Sequence, residues 1–272
     1  MSTTWRSGLL FAALIVTAGC GGGVRDELNM VPGSCLLHMH IEQGLSPLVL
    51  REITGLDKNL VLAESLLTRG PVGIALMGVD ITTVSPQFLF LSRSCSMDRA
   101  AGMASSMLNL TRRDRQNRAD LVDRTGMIRA SLAEKRGWTA LYLGPAADVT
   151  MDAWLRMEKV GSLAADEALV QALPDRHHVT LMVPGNLFAF VSLLPMERYL
   201  PWWEDFFAAA RVIRPAALTA AVTWPSRGSV ALEAKLSRED GGTTRAALTL
   251  SDTAVSPDSA FTLFSNVLEE LL

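Results

Sequence analysis

The sequence predicts an α+β fold: two related halves of mainly antiparallel sheet with packed helices, each on a strand-helix-strand-strand-helix plan. Three features carry that prediction. The run "SVALEAKL" (229–236) alternates cleanly, with Val230, Leu232, Ala234 and Leu236 on one face and Ser229, Glu233 and Lys235 opposite, as a half-covered strand does. Short apolar runs bounded by turn residues, "GPVGIALMG" (70–78) and "FLFLS" (88–92), read as further strands. A Ser-Pro pair opens a helical apolar pattern twice, at Ser46-Pro47 and at Ser256-Pro257, where serine suits the cap and proline the first turn.

In chain order, the apolar stretch 34–41 is the first strand. Leu48, Leu50, Ile53, Leu60, Leu62 and Leu66 then recur at loose helical spacing behind Ser46-Pro47. The two short strands follow, and "SMDRAAGMASSMLNL" is a helix capped by Ser96 with Asp98 in its first turn. "TRRDRQNRAD" (111–120) interleaves bases with acids and amides and reads as a solvated loop or helix end. "TGMIRASL" and "WTALYLG" form a hairpin, and a helix containing Trp154 and Leu155 closes the first half. The second half runs through a strand "HHVTLMV" (177–183), a largely helical 186–212 broken near Pro195 and Pro201, and a strand "ALTAAVTW" (217–224). The alternating strand follows, then a turn at Glu239-Asp240-Gly241-Gly242, a strand "TRAALTL", and a last helix striped by Phe261, Phe264, Leu268 and Leu271. The shared order of elements suggests a divergent duplication.

The amino end has the layout of a secretory leader: Arg6, then "GLLFAALIV" (8–16), then Ala18-Gly19 directly before Cys20. Residues 8–18 rise only about 16 Å as a helix, roughly half of a bilayer core, so they are too short to span. The motif resembles a bacterial lipobox, although Thr17 replaces the usual leucine; it implies cleavage of 1–19 and lipidation of Cys20, including a fatty acyl group such as palmitate, the alternative being an ordinary signal peptide cut at an A-x-A-like site or a short apolar leader with a chance cysteine. Two or more acyl chains anchor durably. Gly21, where aspartate would resemble an inner-membrane retention signal, favours the outer membrane, facing the periplasm. Residues 20–30 then read as a lipidated tether, with 31–160 and 161–272 as the two α+β halves.

Composition narrows the partners. Hydrophobic residues make up 49% and charged residues 19% of the chain, a folding sequence rather than a disordered one. Net charge is −3 and no basic run exceeds Arg112-Arg113 with Arg115 and Arg118, which argues against nucleic acid. Beyond Cys20 only Cys35 and Cys95 remain. In an oxidising compartment they form a possible disulfide if antiparallel neighbours bring them together, worth about 4 kcal/mol in the chain-entropy model; the alternative is two buried thiols.

The segments "RGPVGIALMG", "KRGWTALYLGP" and "GSLAADEALVQALPD" (161–175), in that order, resemble an uncharacterised family of bacterial envelope lipoproteins, a domain of unknown function with two related α+β halves joined by a GSLA-x-(D/E) linker. The resemblance covers about 31–272 and implies fold and location; it supplies no catalytic residues. Cys35, His38 and His40 replace the acidic, aliphatic opening usual in its first strand.

His38 and His40 share a strand face with Glu42, so the H-x-H pair offers two metal ligands that Glu42 or the His177-His178 pair could complete. The alternative is a half-buried strand with Leu37, Met39 and Ile41 toward the core and the histidines toward water or a polar seam. No nucleophile elbow, S-x-x-K pair, H-E-x-x-H or phosphate-binding glycine loop is found in the sequence, so no catalytic residue and no cofactor is assigned and the chain reads as a non-enzyme. In "YLPWWEDFFAAARVI" (199–213), Trp203, Phe206, Phe207, Ala210 and Ile213 share a helical face that reads as core, while Trp202 at its edge is a possible membrane contact. The expected role is an interaction or scaffolding module for an envelope protein partner, held to the membrane by its lipid; the alternative is a periplasmic carrier or sensor of a small apolar ligand.

Overall fold

A computed structural model of the chain describes residues 24–42, 71–80, 85–173, 178–192, 215–226 and 229–251. The elements are α1 (Val24–Leu28), β1 (Leu37–Ile41), β2 (Val72–Asp80), β3 (Ser85–Ser92), α2 (Met97–Leu108), β4 (Thr111–Asp114), β5 (Arg118–Val122), β6 (Ile128–Lys135) and β7 (Trp138–Leu143). They continue with α3 (Ala147–Arg156), 3-10 turns at Lys159–Gly161 and Leu163–Ala165, α4 (Glu167–Ala172), β8 (Val179–Pro184), α5 (Gly185–Ser192), β9 (Pro215–Ser226), β10 (Ser229–Arg238) and β11 (Thr243–Ser251). Cys20, His177, Trp202 and the helices expected from Ser46 and Ser256 lie outside the described residues.

The eleven described strands join one antiparallel sheet in the order β11-β10-β9-β8-β1-β2-β3-β7-β6-β5-β4, so the fold is mixed α/β and mostly sheet. β1 and β8 meet antiparallel in its middle, with β2 and β3 outside β1 and β9 and β10 outside β8. Adjacent residues of a strand point to opposite faces, and both faces are covered. On one, Leu28 of α1, Met151 and Trp154 of α3, Leu163 and Leu169 pack over Ala75, Leu89, Leu91, Ala140, Tyr142 and Met182. On the other, α2 covers Leu121, Ala130 and Leu132 through Ala101 and Ala104, and Leu187 and Phe188 of α5 pack against a cluster of Val183, Leu218, Ala220, Leu232, Ala234 and Leu236.

Local chemistry explains most of these elements. Ser96 accepts the backbone N–H of Arg99 and caps α2 as expected. β6 and β7 are joined by Arg136-Gly137, both at positive φ, the two-residue turn whose twist matches flanking strands. In the GSLA segment, Ser162 bridges Pro32, Leu163 N–H donates to the Val31 carbonyl, and Asp166 caps α4 by accepting from the Leu169 N–H. Those residues therefore bind the strap before β1 to the strap before α4.

Three expectations change. Residues 111–120 are a β-hairpin rather than a loop or helix end: Ala119, Leu121 and Val122 are buried, while Arg112 pairs with Asp98 and Asp114 and Arg118 with Asp120 and Asp152. Charges on β4 fit its place at the sheet edge, where they discourage pairing with another chain. Residues 24–30, read as tether, are folded onto the sheet, with Glu27, Leu28 and Met30 buried. Cys35 and Cys95 are separate buried thiols. β2 lies between β1 and β3, which therefore run the same way, and the cysteines precede one and follow the other, so they border opposite ends, roughly 20 Å apart along the strands. Burial pushes the Cys35 thiol up to about 12, and burial likewise raises Cys95.

Candidate functional site

The described residues bring four acid-base groups together inside the molecule. β1 alternates, so His38 and His40 point to the α1 face and take as flanking partners Ala75 and Gly73 on β2 and Met182 and Thr180 on β8. None of the four is bulky and titratable. α1 lies over this shallow area and turns Glu27 into it.

Glu27 bridges the two imidazoles. His38 Nε2 lies 2.6 Å from one carboxylate oxygen, and His40 Nδ1 lies 2.9 Å from the other. His40 Nε2 lies 2.6 Å from Glu42 Oε2. Glu27, His38 and His40 are 0% exposed and Glu42 is 6% exposed. Because both ring nitrogens of His40 face carboxylate oxygens, the geometry calls for two N–H donors, that is, an imidazolium. A neutral ring would set a lone pair against one oxygen.

The same geometry sets the proton affinities. Burial would raise Glu27, but the charge of His40 and hydrogen bonds from both histidines outweigh it and lower the carboxyl to about 2. Burial would lower His40, but attraction to Glu27 and hydrogen bonds to Glu27 and Glu42 raise it to about 9. The two groups hold each other in the charged state. His178, half-buried at the head of β8, is lowered by burial; its carbonyl accepts the Glu42 N–H.

Gly73 makes the arrangement possible. A Cβ there would lie 2.4 Å from Glu27 Oε1, 2.7 Å from its carboxyl carbon and 3.0 Å from His38 Cε1. Gly73→Ala is accordingly expected to lift Glu27 off His38 and lower stability by about 2 kcal/mol, measured by urea unfolding; an unchanged midpoint would show that the notch is looser than described.

Around this centre the amino-terminal strap is tied in place. Trp154 Nε1 donates to the Met30 carbonyl at 2.6 Å, Gly33 N–H to the Gly161 carbonyl, and Arg93 reaches from Asp26 to the face of Trp138. The sequence expectation that His38, His40 and Glu42 share a face holds. The imidazoles lie in a polar seam with Glu27 and Glu42 and are fully buried there, out of contact with water, while Ile41 is buried and Leu37 and Met39 are half-buried. For metal binding, both His40 nitrogens are engaged by carboxylates, and among the described residues no group of three or more His, Cys, Asp and Glu is arranged to hold an ion. Sequence reasoning missed Glu27 and Gly73. The signal for Glu27 was an acid immediately before an apolar residue in "RDELNMV", which is faint in so short a helix. Compared with family models, curated proteins and solved structures, the chain matches none.

Proposed function

We propose that the protein is a lipid-anchored module of the bacterial cell envelope that works by binding a protein partner rather than by catalysis. The observation that supports this most is the use made of its acid-base groups. Glu27, His38 and His40 are wholly buried and engaged in holding α1 to the sheet, out of reach of a substrate in this arrangement. The tether reading rests on the leader and Cys20. No helix among the described residues is long and apolar enough to cross a membrane.

α1 begins four residues after Cys20, a leash of at most about 14 Å. A lipid at Cys20 would therefore hold the α1 face of the sheet close to the bilayer and turn the α2 and α5 face toward partners. The similar flanking of β1 by β2 and β3 and of β8 by β9 and β10 supports an origin by duplication.

Cys20→Ala is expected to move the protein from the membrane fraction to the soluble periplasm, scored by fractionation of intact cells. Continued retention would overturn the tether. Crosslinking of the anchored form is expected to capture an envelope protein, whereas a lipid-sized extra mass in native mass spectrometry of the detergent-free 24–272 chain would favour carriage of an apolar ligand.

A further inference from the structure

The parts that hold Glu27 belong to the sheet, not to the helix that brings it. Two imidazole nitrogens, His38 Nε2 and His40 Nδ1, converge on the two oxygens of one carboxylate. Glu42 backs His40 from the far side, and Gly73 withholds the Cβ that would fill the space. These four residues lie on or next to β1 and β2. The carboxylate arrives on a five-residue helix, eleven residues before His38. Among the described residues His38 Nδ1 has no partner, so the carboxylate alone fixes that ring through hydrogen bonding.

We propose that His38, His40 and Gly73 form a carboxylate-binding site on the sheet that Glu27 occupies as a built-in ligand, and that a small monocarboxylate takes its place when the Glu27 side chain is absent. Bidentate acceptance from two convergent donors in a water-poor notch is the recognition that a carboxylate requires. The strap makes the helix separable from its receptor. Residues 30–33 are pinned by Trp154, Leu163 and Gly161, whereas α1 itself is held by Glu27, by Leu28 and Val24 against the core, and by an exposed Arg93–Asp26 pair of the kind that adds little. The assignment does not depend on whether Cys20 carries lipid.

The test uses the size of the deletion. Glu27→Ala removes a methylene and a carboxylate, the atoms of acetate, and leaves the rest of α1 unchanged. Sodium acetate is expected to raise the melting temperature of the variant saturably, with half-effect on the order of millimolar, while sodium chloride at equal ionic strength does not. The ring N–H signals of His38 and His40 are expected to broaden in the variant and return with acetate. In the wild-type protein the two salts should act alike, because Glu27 already fills the notch. Equal responses of the variant to acetate and chloride would overturn the site, as would an acetate response of the same size in the wild type. If the variant does not fold in chloride, folding in acetate is expected, and failure in both salts also overturns it.

Discussion

His40→Gln is expected to cost about 3–5 kcal/mol of folding stability. The reason is what the substitution leaves behind. His40 supplies two donors and a positive charge between Glu27 and Glu42, at 2.9 and 2.6 Å. A glutamine amide can donate to one carboxylate, but its carbonyl oxygen then faces the other, and Glu27 remains at 0% exposure with its counter-charge gone. Adding Glu27→Gln should recover much of the loss. The amide introduced at position 27 can accept from His38 through its carbonyl while its NH2 donates to the carbonyl of the amide introduced at position 40. The NH2 of that second amide donates to Glu42, a chain in which each pair matches. Urea unfolding of the wild type, both single variants and the double variant closes the cycle. A coupling of about 2 kcal/mol or more is expected. Additivity to within about 0.5 kcal/mol would mean that Glu27 and His40 are neighbours without being partners.

The features legible in the sequence were those set by local period and local turns. Leu232, Ala234 and Leu236 are buried together as their alternation implied, and the turn at 136–137 and the Ser96 cap follow from residue types adjacent in the chain. What the alternation of His38, His40 and Glu42 could not say was whether their shared face was covered, since the cover is α1, too short for a helical period to register. The acids and bases of 111–120 hid a strand pair because they satisfy one another along each strand, Arg112 with Asp114 and Arg118 with Asp120, the last buried and accepting from Ser131. Strand order was equally invisible, and it decides the cysteines: insertion of β2 between β1 and β3 separates two residues that a β1–β3 neighbour pair running antiparallel would have joined. A mixed fold dominated by antiparallel sheet was thus readable from local pattern, whereas the site arose from the meeting of an expected leash with the middle of a sheet.

The pH dependence of stability should carry the signature of the same cluster, with a plateau between about pH 4.5 and 6.5 and a loss on each side. His40 has its affinity raised from 6.5 to about 9, so its contribution is complete below 6.5 and disappears as pH rises through about 9. Glu27 is depressed from 4.5 to about 2, so its contribution is complete above 4.5 and disappears as pH falls through about 2. The two limbs titrate opposite ends of one interaction and are not to be added. On the alkaline side the shift corresponds to a loss on the order of 3 kcal/mol, or roughly 10 °C in melting temperature. Among the described residues the groups facing His40 are Glu27 from α1 and Glu42 beyond its own strand, while Gly73 on β2 and Thr180 on β8 do not titrate, and the Cys35 thiol, at about 12, ionises above the window. Once His40 loses a proton, one of its nitrogens presents a lone pair to a carboxylate, and the buried charge of Glu27 has no counterpart to offset its desolvation. Melting curves at about pH 6, 7.5, 9 and 10 for the wild type and for the His40→Gln, Glu27→Gln double variant check this. The wild type is expected to fall steeply across that range and the double variant to change much less, because its neutral amides have nothing to titrate. Parallel slopes for the two proteins would place the alkaline transition elsewhere in the chain and leave His40 without an imidazolium at neutral pH.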